Sequence, residues 1–259
     1  VVISVAGVEG SEAVALQFDD IQVIRFATYL AAMADEIQKN RSGEKSRLRL
    51  LAAAARLLES IHYRDLLVEE ICQEAGVAKG TFYIYFKSKD EFLRDLAGRY
   101  LNFEFQTYPR LSSKNTEYTN TRKWVYWYEK SFAANVGIIK CMVQMGENDA
   151  AMRQLWHDRN GRLVDRSLAG WMKTRPGADP KIERFILRTA GTMMDQSLFE
   201  RYGVQTGQGV EDPHDPEFMI ELHAFMNYRA MYGHNPPLQE FPDDSPFRRV
   251  IEQDASGRP

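Results

Sequence analysis

The chain has only two cysteines, Cys72 and Cys141, too far apart for a CxxC or any paired metal spacing. Such sparse usage fits a reducing compartment, with both as small buried fillers. Long apolar runs are missing too: none approaches the roughly 18 residues that a membrane-spanning helix needs. The opening VVISVAGVEG is apolar but lacks a basic flank, which argues against a signal peptide. The chain does not begin with Met, as expected of a processed or partial sequence. A basic excess is also absent, the formal net charge being −3. Any contact with a polyanion must therefore come from a local patch. The histidines, His62, His157, His214, His223 and His234, form no HExxH or other metal spacing, and no nucleophile motif occurs. These absences point away from an enzyme, a metal centre, a cofactor or a membrane partner, and towards a cytoplasmic protein.

What is present reads as helix almost throughout, without a convincing alternating strand or a 20–50-residue repeat. A first helix is expected over 12–39, with Phe18, Ile21, Ile24, Thr28 and Ala31 on one stripe, before the polar break RSGEKS. A second, over 44–62, carries Leu48, Leu51, Ala55, Leu58 and Ile61 at core-facing spacing. Two short helices, 68–75 and 79–85, flank Gly76-Val77-Ala78, and SKDE at 88–91 has the form of a capping box for a helix running to Tyr108. The loop LSSKNTEYTN reads as a hinge between a small N-terminal unit and a larger remainder. Further helices are expected near 119–136, 138–146, 149–173, 179–203 and 215–232. The expected organisation is an extension over 1–40, a DNA-binding unit over 41–98, a helical unit over 99–234 and a weakly ordered tail over 235–259.

Two short helices joined by a three-residue turn with Gly form a helix-turn-helix pattern. Gly76 supplies the backbone conformation that the sharp turn demands. Ile71, Ala75, Val77, Phe82 and Phe86 can pack as a small core, with Cys72 allowing close approach. Ala78, Lys79, Thr81, Tyr83 and Tyr85 then face outward. Lys79 and Thr81 sit where free helix amides favour an anion, and Gly80 admits a phosphate or base edge near the backbone. From Gly76 to Lys89 there are three lysines and no acid. Tyrosines at this spacing are elsewhere often rim or core residues; here turn, core spacing, lysines and capped helix coincide.

The stretch ICQEAGVAKGTFYIYFKSKDEFL resembles the tetracycline-repressor (TetR/AcrR-type) family of transcriptional regulators, over about 45–100 of the chain. The resemblance implies an all-α fold: a three-helix DNA-binding domain, a larger helical ligand-binding and dimerisation domain, and here an extra N-terminal helix. It implies that the helix at 79–85 enters the major groove of an operator duplex, with Lys79 and Thr81 at bases or phosphates and Tyr83, Tyr85 and Lys89 on the backbone. Two positions depart from the family pattern. Leu67 stands where Thr usually caps the first short helix, leaving Asp65 as the expected cap, and Ala78 stands where Ser is usual.

The remainder fits an effector domain. Trp124, Trp127, Tyr128 and Phe132 share one face, and Met145, Trp156 and Met193 add deformable apolar surface. Arg159 and Asp195 are candidate polar anchors for a small apolar or aromatic effector. Plain core and salt bridges are the competing readings of these same residues. The helices at 179–203 and 215–232 are apolar on more than one face. By the resemblance, Phe185, Leu198, Leu222, Phe225 and Met226 would form a homodimer interface. The expected function is a ligand-responsive dimeric regulator, a repressor released from a palindromic operator. The rival reading is an architectural or partner-binding DNA-binding protein with a filled core and no effector.

Overall fold

The computed structural model describes residues 18, 20–37, 42–173, 175–203 and 216–255, and these are helical with no strand among them. The order is α1 (Phe26–Glu36), α2 (Ser42–Leu57), α3 (Val68–Ala75), α4 (Lys79–Tyr85), α5 (Lys89–Thr107), α6 (Glu117–Ala134), α7 (Val136–Gly146), α8 (Ala150–Trp171), α9 (Pro180–Leu198), α10 (Pro216–Tyr232) and α11 (Pro246–Ala255). Helices α2 to α4 pack on one another as a small N-terminal unit. In the larger unit α6 packs on α10, and α8 lies between α7 and α9.

The small unit closes because its few large side chains converge. Ile71, Phe82 and Phe92 are fully buried, and the Phe82 ring lies 5.1 Å from Phe92 and 5.5 Å from Phe86. At the entry to α5, Ser88 Oγ accepts from the Glu91 amide at 3.1 Å. The return bond differs from the expected box, since Glu91 accepts from the Lys87 amide rather than that of Ser88. α5 is continuous from Lys89 to Thr107, so it carries the small unit directly into the larger one. The polar loop after it therefore joins α5 to α6 within the larger unit, and the expected hinge there is corrected.

The N-terminal extension also differs from expectation. Helix begins only at Phe26, because the Phe26 amide finds its acceptor in Asn135 Oδ1, at 2.6 Å, rather than in a local cap. The buried stripe is Phe26, Ala27, Leu30 and Ala34, while Thr28 is exposed. Residues 12–17, 19, 38 and 39 of the expected helix lie outside the described residues. Ahead of α1 the chain runs extended as a strap. Asp20 pairs with Lys123 at 2.6 Å, Arg25 with Glu59 at 3.0 Å, and Asn135 Nδ2 donates to the Ile24 carbonyl at 3.3 Å. The Phe26 ring meets Tyr100 and Phe103 of α5, while α1 lies along α2. The extension thus braces both units at once.

A second joint lies at Gly137, at the start of α7. A Cβ there would stand 2.5 Å from the carbonyl carbon and oxygen of Leu58, just past α2. Backbone cannot yield as a side-chain tip can, so Gly137→Ala is expected to cost about 1–3 kcal/mol by overpacking. Gly98→Ala in α5 meets nothing within 4 Å and should instead gain about 0.5–1 kcal/mol. Urea unfolding of the two variants checks this; equal effects would contradict the close approach.

The C-terminal segment is ordered up to Ala255, against the expectation of a loose tail. A 3₁₀ turn over Leu238–Glu240 and then α11 lay Phe241, Phe247 and Ile251 into the core. Phe247 stacks on Phe218 at 5.5 Å and meets Phe225 at 5.2 Å. Three apolar anchors outweigh a locally polar, proline-rich sequence.

Candidate nucleic-acid interface and effector cavity

The turn between α3 and α4 is made by Gly76 in the left-handed region, φ +65°. Its amide donates to Gln73 O and that of Val77 to Cys72 O, closing α3 with two bonds that need this conformation. Leu67 occupies the N-cap position of α3 in place of Asp65. It has no hydroxyl to offer, but its own amide donates to Glu70 Oε2 at 3.0 Å, half of a capping box. Ala78 is the N-cap of α4, exposed and without a side-chain acceptor.

With Phe82 turned wholly inward, helical phase sends Gly80 and Ile84 to the opposite side, flanked by Thr81 and Tyr83. Tyr83 is 53% and Ile84 74% exposed, and Lys79 and Gly80 are exposed as well. Thr81 is half-buried. Ile84 is absent from the sequence-predicted face, yet its exposure on so short a helix marks it as part of that face. The signal in the sequence is its place four residues after Gly80.

Two predicted contacts are placed differently. Lys89 turns its ammonium inward and donates to the carbonyls of Tyr63, Arg64 and Leu66, at 3.0, 3.0 and 2.9 Å. All its protons hold the α2–α3 loop, so it positions the motif rather than reaching outward. Tyr85 is half-buried, its hydroxyl lying over Gly43 at the start of α2. Lys79 pairs with Glu69 of α3; their hydrogen bond raises the lysine and lowers the carboxyl from their ordinary ranges. An exposed pair of this kind is weak and exchanges readily for a phosphate.

The larger unit contains a cavity of about 900 Å³ between α6, α8, α9 and α10. Of the predicted pocket residues, Trp124, Tyr128 and Asp195 line it. Trp127, Phe132 and Met145 are core, Trp156 is half-buried outside it, and Met193 is 41% exposed on the outer surface. The wall is completed by residues outside the predicted site, among them Tyr108, Leu163, Asn227 and Tyr232. Their spacing showed which faces were buried, not that space was left between them.

Arg159 is buried behind the wall. Its Nε and Nη2 donate to Glu104 of α5 at 2.8 and 2.6 Å, and Nη1 donates to Tyr128 Oη at 3.1 Å and Asn160 Oδ1 at 3.0 Å. Tyr128 Oη in turn donates to Asp195 Oδ1. Burial opposes the Arg159 charge, but Glu104, Tyr128 and Asp195 together raise its pKa well above the ordinary value. Burial pushes the Asp195 carboxyl up, against the lowering pull of Arg159 and Tyr128. A separate brace joins α6, α9 and α10: His223 Nδ1 lies 3.2 Å from Glu129 Oε2, and Nε2 lies 3.0 Å from Ser197 Oγ. Although these are the residue types of a hydrolytic triad, Ser197 sits inside α9, whose amides are committed to the helix.

On the outer face of α9 and α10, Phe185 is 69% exposed and Met226 42%, while Leu222 is half-buried. Leu198 and Phe225 are removed from the predicted interface: both are buried within the subunit, Phe225 beneath Phe241 and Phe247.

An all-helical chain with this motif and an exposed α4 face has the architecture of a helix-turn-helix DNA-binding protein. Residues 50–96 match the family model of bacterial regulatory proteins, tetR family. The chain is 25% identical over 206 residues to the HTH-type transcriptional regulator EthR of Mycobacterium tuberculosis, covering 75% of this chain and 90% of that one. EthR of Mycolicibacterium smegmatis is 38% identical over 55 residues, 21% of this chain and 25% of its own. In fold the chain is similar to a tetR-family transcriptional regulator from Streptomyces coelicolor, with a TM-score of 0.61 at 12% identity over 83% of this chain and 99% of the other. The helix-turn-helix region thus matches the tetR family of bacterial regulatory proteins, and the chain as a whole is similar in fold to a regulator of that family. Among the described residues no helix is long and apolar enough to cross a membrane.

Proposed function

We propose that the protein is a dimeric, effector-released repressor that acts in the cytoplasm on a palindromic operator. The observation that carries this reading is the exposed face of α4 held on a buried Phe82, in one chain with a cavity of about 900 Å³. That volume lies within the range of small-molecule sites, roughly 300–1,000 Å³. Lys79, Thr81, Tyr83 and Ile84 present the reading face, with Ala78 and Gly80 letting the duplex come close. Apolar contact to a thymine methyl falls to Ile84. The apolar outer residues Ile182, Phe185 and Met226 are best covered by a second copy, which two-fold symmetry then repeats on the operator.

Effector binding in the cavity reaches DNA through α5. The Asp195–Tyr128–Arg159–Glu104 chain ends on this helix, and Tyr100, which donates to Glu104 at 3.3 Å, carries the Phe26 contact to α1. A ligand shifts the balance between binding and released states only by its differential affinity for them. Fluorescence anisotropy with operator duplex tests the reading. Lys79→Ala and Tyr83→Ala are each expected to weaken binding by about 1–3 kcal/mol, and Lys79→Ala to lower the salt dependence. Unchanged affinity in both would remove α4 as the reading element.

A further inference from the structure

Resting on the cavity reading above, we propose that the effector carries a protonated amine, seated on Asp195, with an aromatic or apolar body against Trp124 and Tyr128. Charge balance in the buried network leads to this chemistry. It holds one cation, Arg159, and two carboxylates, Glu104 and Asp195. The guanidinium is committed to Glu104 through two short bonds and stands 3.8 Å from Asp195, beyond hydrogen-bonding reach. Asp195 accepts a hydrogen bond from Tyr128 on Oδ1, and its Oδ2 has no hydrogen-bond donor among the described residues. One negative charge is therefore left over, on a carboxylate in the cavity wall. A buried charge that is only partly compensated is costly, and a ligand that completes the compensation recovers that cost.

The neighbouring wall suits the same group. Trp124 and Tyr128 stack with centroids 5.2 Å apart and planes 9° apart, and both line the cavity. Aromatic faces attract a cation and accept an apolar body, and because the Arg159 guanidinium already lies over the Tyr128 ring, this role falls to Trp124. The opposing charges are Arg110, Arg166, Lys173 and Arg188, which also border the cavity together with Glu117. All five are exposed. Water and salt screen them, whereas Asp195, Glu104, Arg159 and Tyr128 face one another in the interior. Burial holds the Asp195 carboxyl up, and the amine binds its ionised form. Amine affinity accordingly rises as pH increases through the Asp195 titration.

Isothermal titration of the full chain with phenylbutylamine, phenylbutanol and phenylbutyrate tests the proposal. The amine should bind roughly ten- to a hundredfold tighter than the alcohol, as a charge-assisted hydrogen bond gives, and the acid most weakly. Asp195→Asn should bring the amine to the level of the alcohol. Equal binding of all three, or preference for the acid, overturns the amine while the cavity reading stands. Binding of none overturns both. Should Asp195→Asn fail to fold, the wild-type ranking and its rise with pH still decide.

Discussion

Replacing Arg159 with Leu is expected to lower the unfolding free energy by about 3–5 kcal/mol, the cost of leaving one partner of a buried ion pair alone. Arg159 is 2% and Glu104 3% exposed, so neither charge can turn to water. Without the guanidinium, Glu104 loses two hydrogen bonds and Tyr128 and Asn160 one donor each. The double variant Arg159→Leu/Glu104→Gln should recover much of the loss, because it removes the uncompensated charge. Denaturant unfolding of both single variants and the double one gives the coupling directly. A double variant as unstable as the sum of the singles would show that the two groups act independently. The functional consequence is more specific: with Glu104→Gln the cavity can still fill, but its link to α5 is weakened, so effector should release DNA less completely.

The second large effect is expected at Phe82. Phe82→Ala removes a fully buried ring that meets Tyr83, Phe86 and Phe92, with centroids 5.1–5.5 Å away. Truncation of such a ring costs about 3–5 kcal/mol. α4 has only seven residues and cannot stand as a helix without packing. Operator binding should therefore vanish, while ligand binding in the larger unit persists, since the cavity wall begins at Tyr108. Parallel anisotropy and calorimetry separate the two readouts. Loss of ligand binding in the same variant would mean that the units do not fold separately.

The helix-turn-helix was legible because its physics is local. Gly76 at the turn, Phe82 and Phe86 facing inward, and Ser88 capping α5 all lie within a few residues of one another. The larger unit was legible as helices but not as a site. Trp124, Trp127, Tyr128 and Phe132 read as one face, yet only Trp124 and Tyr128 line the cavity, because what lies opposite each side chain comes from distant helices. Lys89 illustrates the same limit: its charge was readable, but the carbonyls that claim it belong to residues 63–66. Phe225 read as interface because the segment that covers it, from Phe241 to Ile251, is proline-rich and locally polar. Arg159 and Asp195 were visible as candidate anchors, and the structure divides them, one behind the wall and one on it.

The central claim is that α4 reads a specific duplex as part of a two-fold assembly. Selection of the wild-type chain on a pool of random duplexes tests it most directly, beside a variant with Lys79, Thr81 and Tyr83 all changed to Ala. Wild type should enrich an inverted repeat whose half-sites are centred about one helical turn apart, roughly 34–36 Å, and the variant should enrich nothing. Absence of an enriched sequence with wild type, or the same enriched sequence with the variant, would contradict the account.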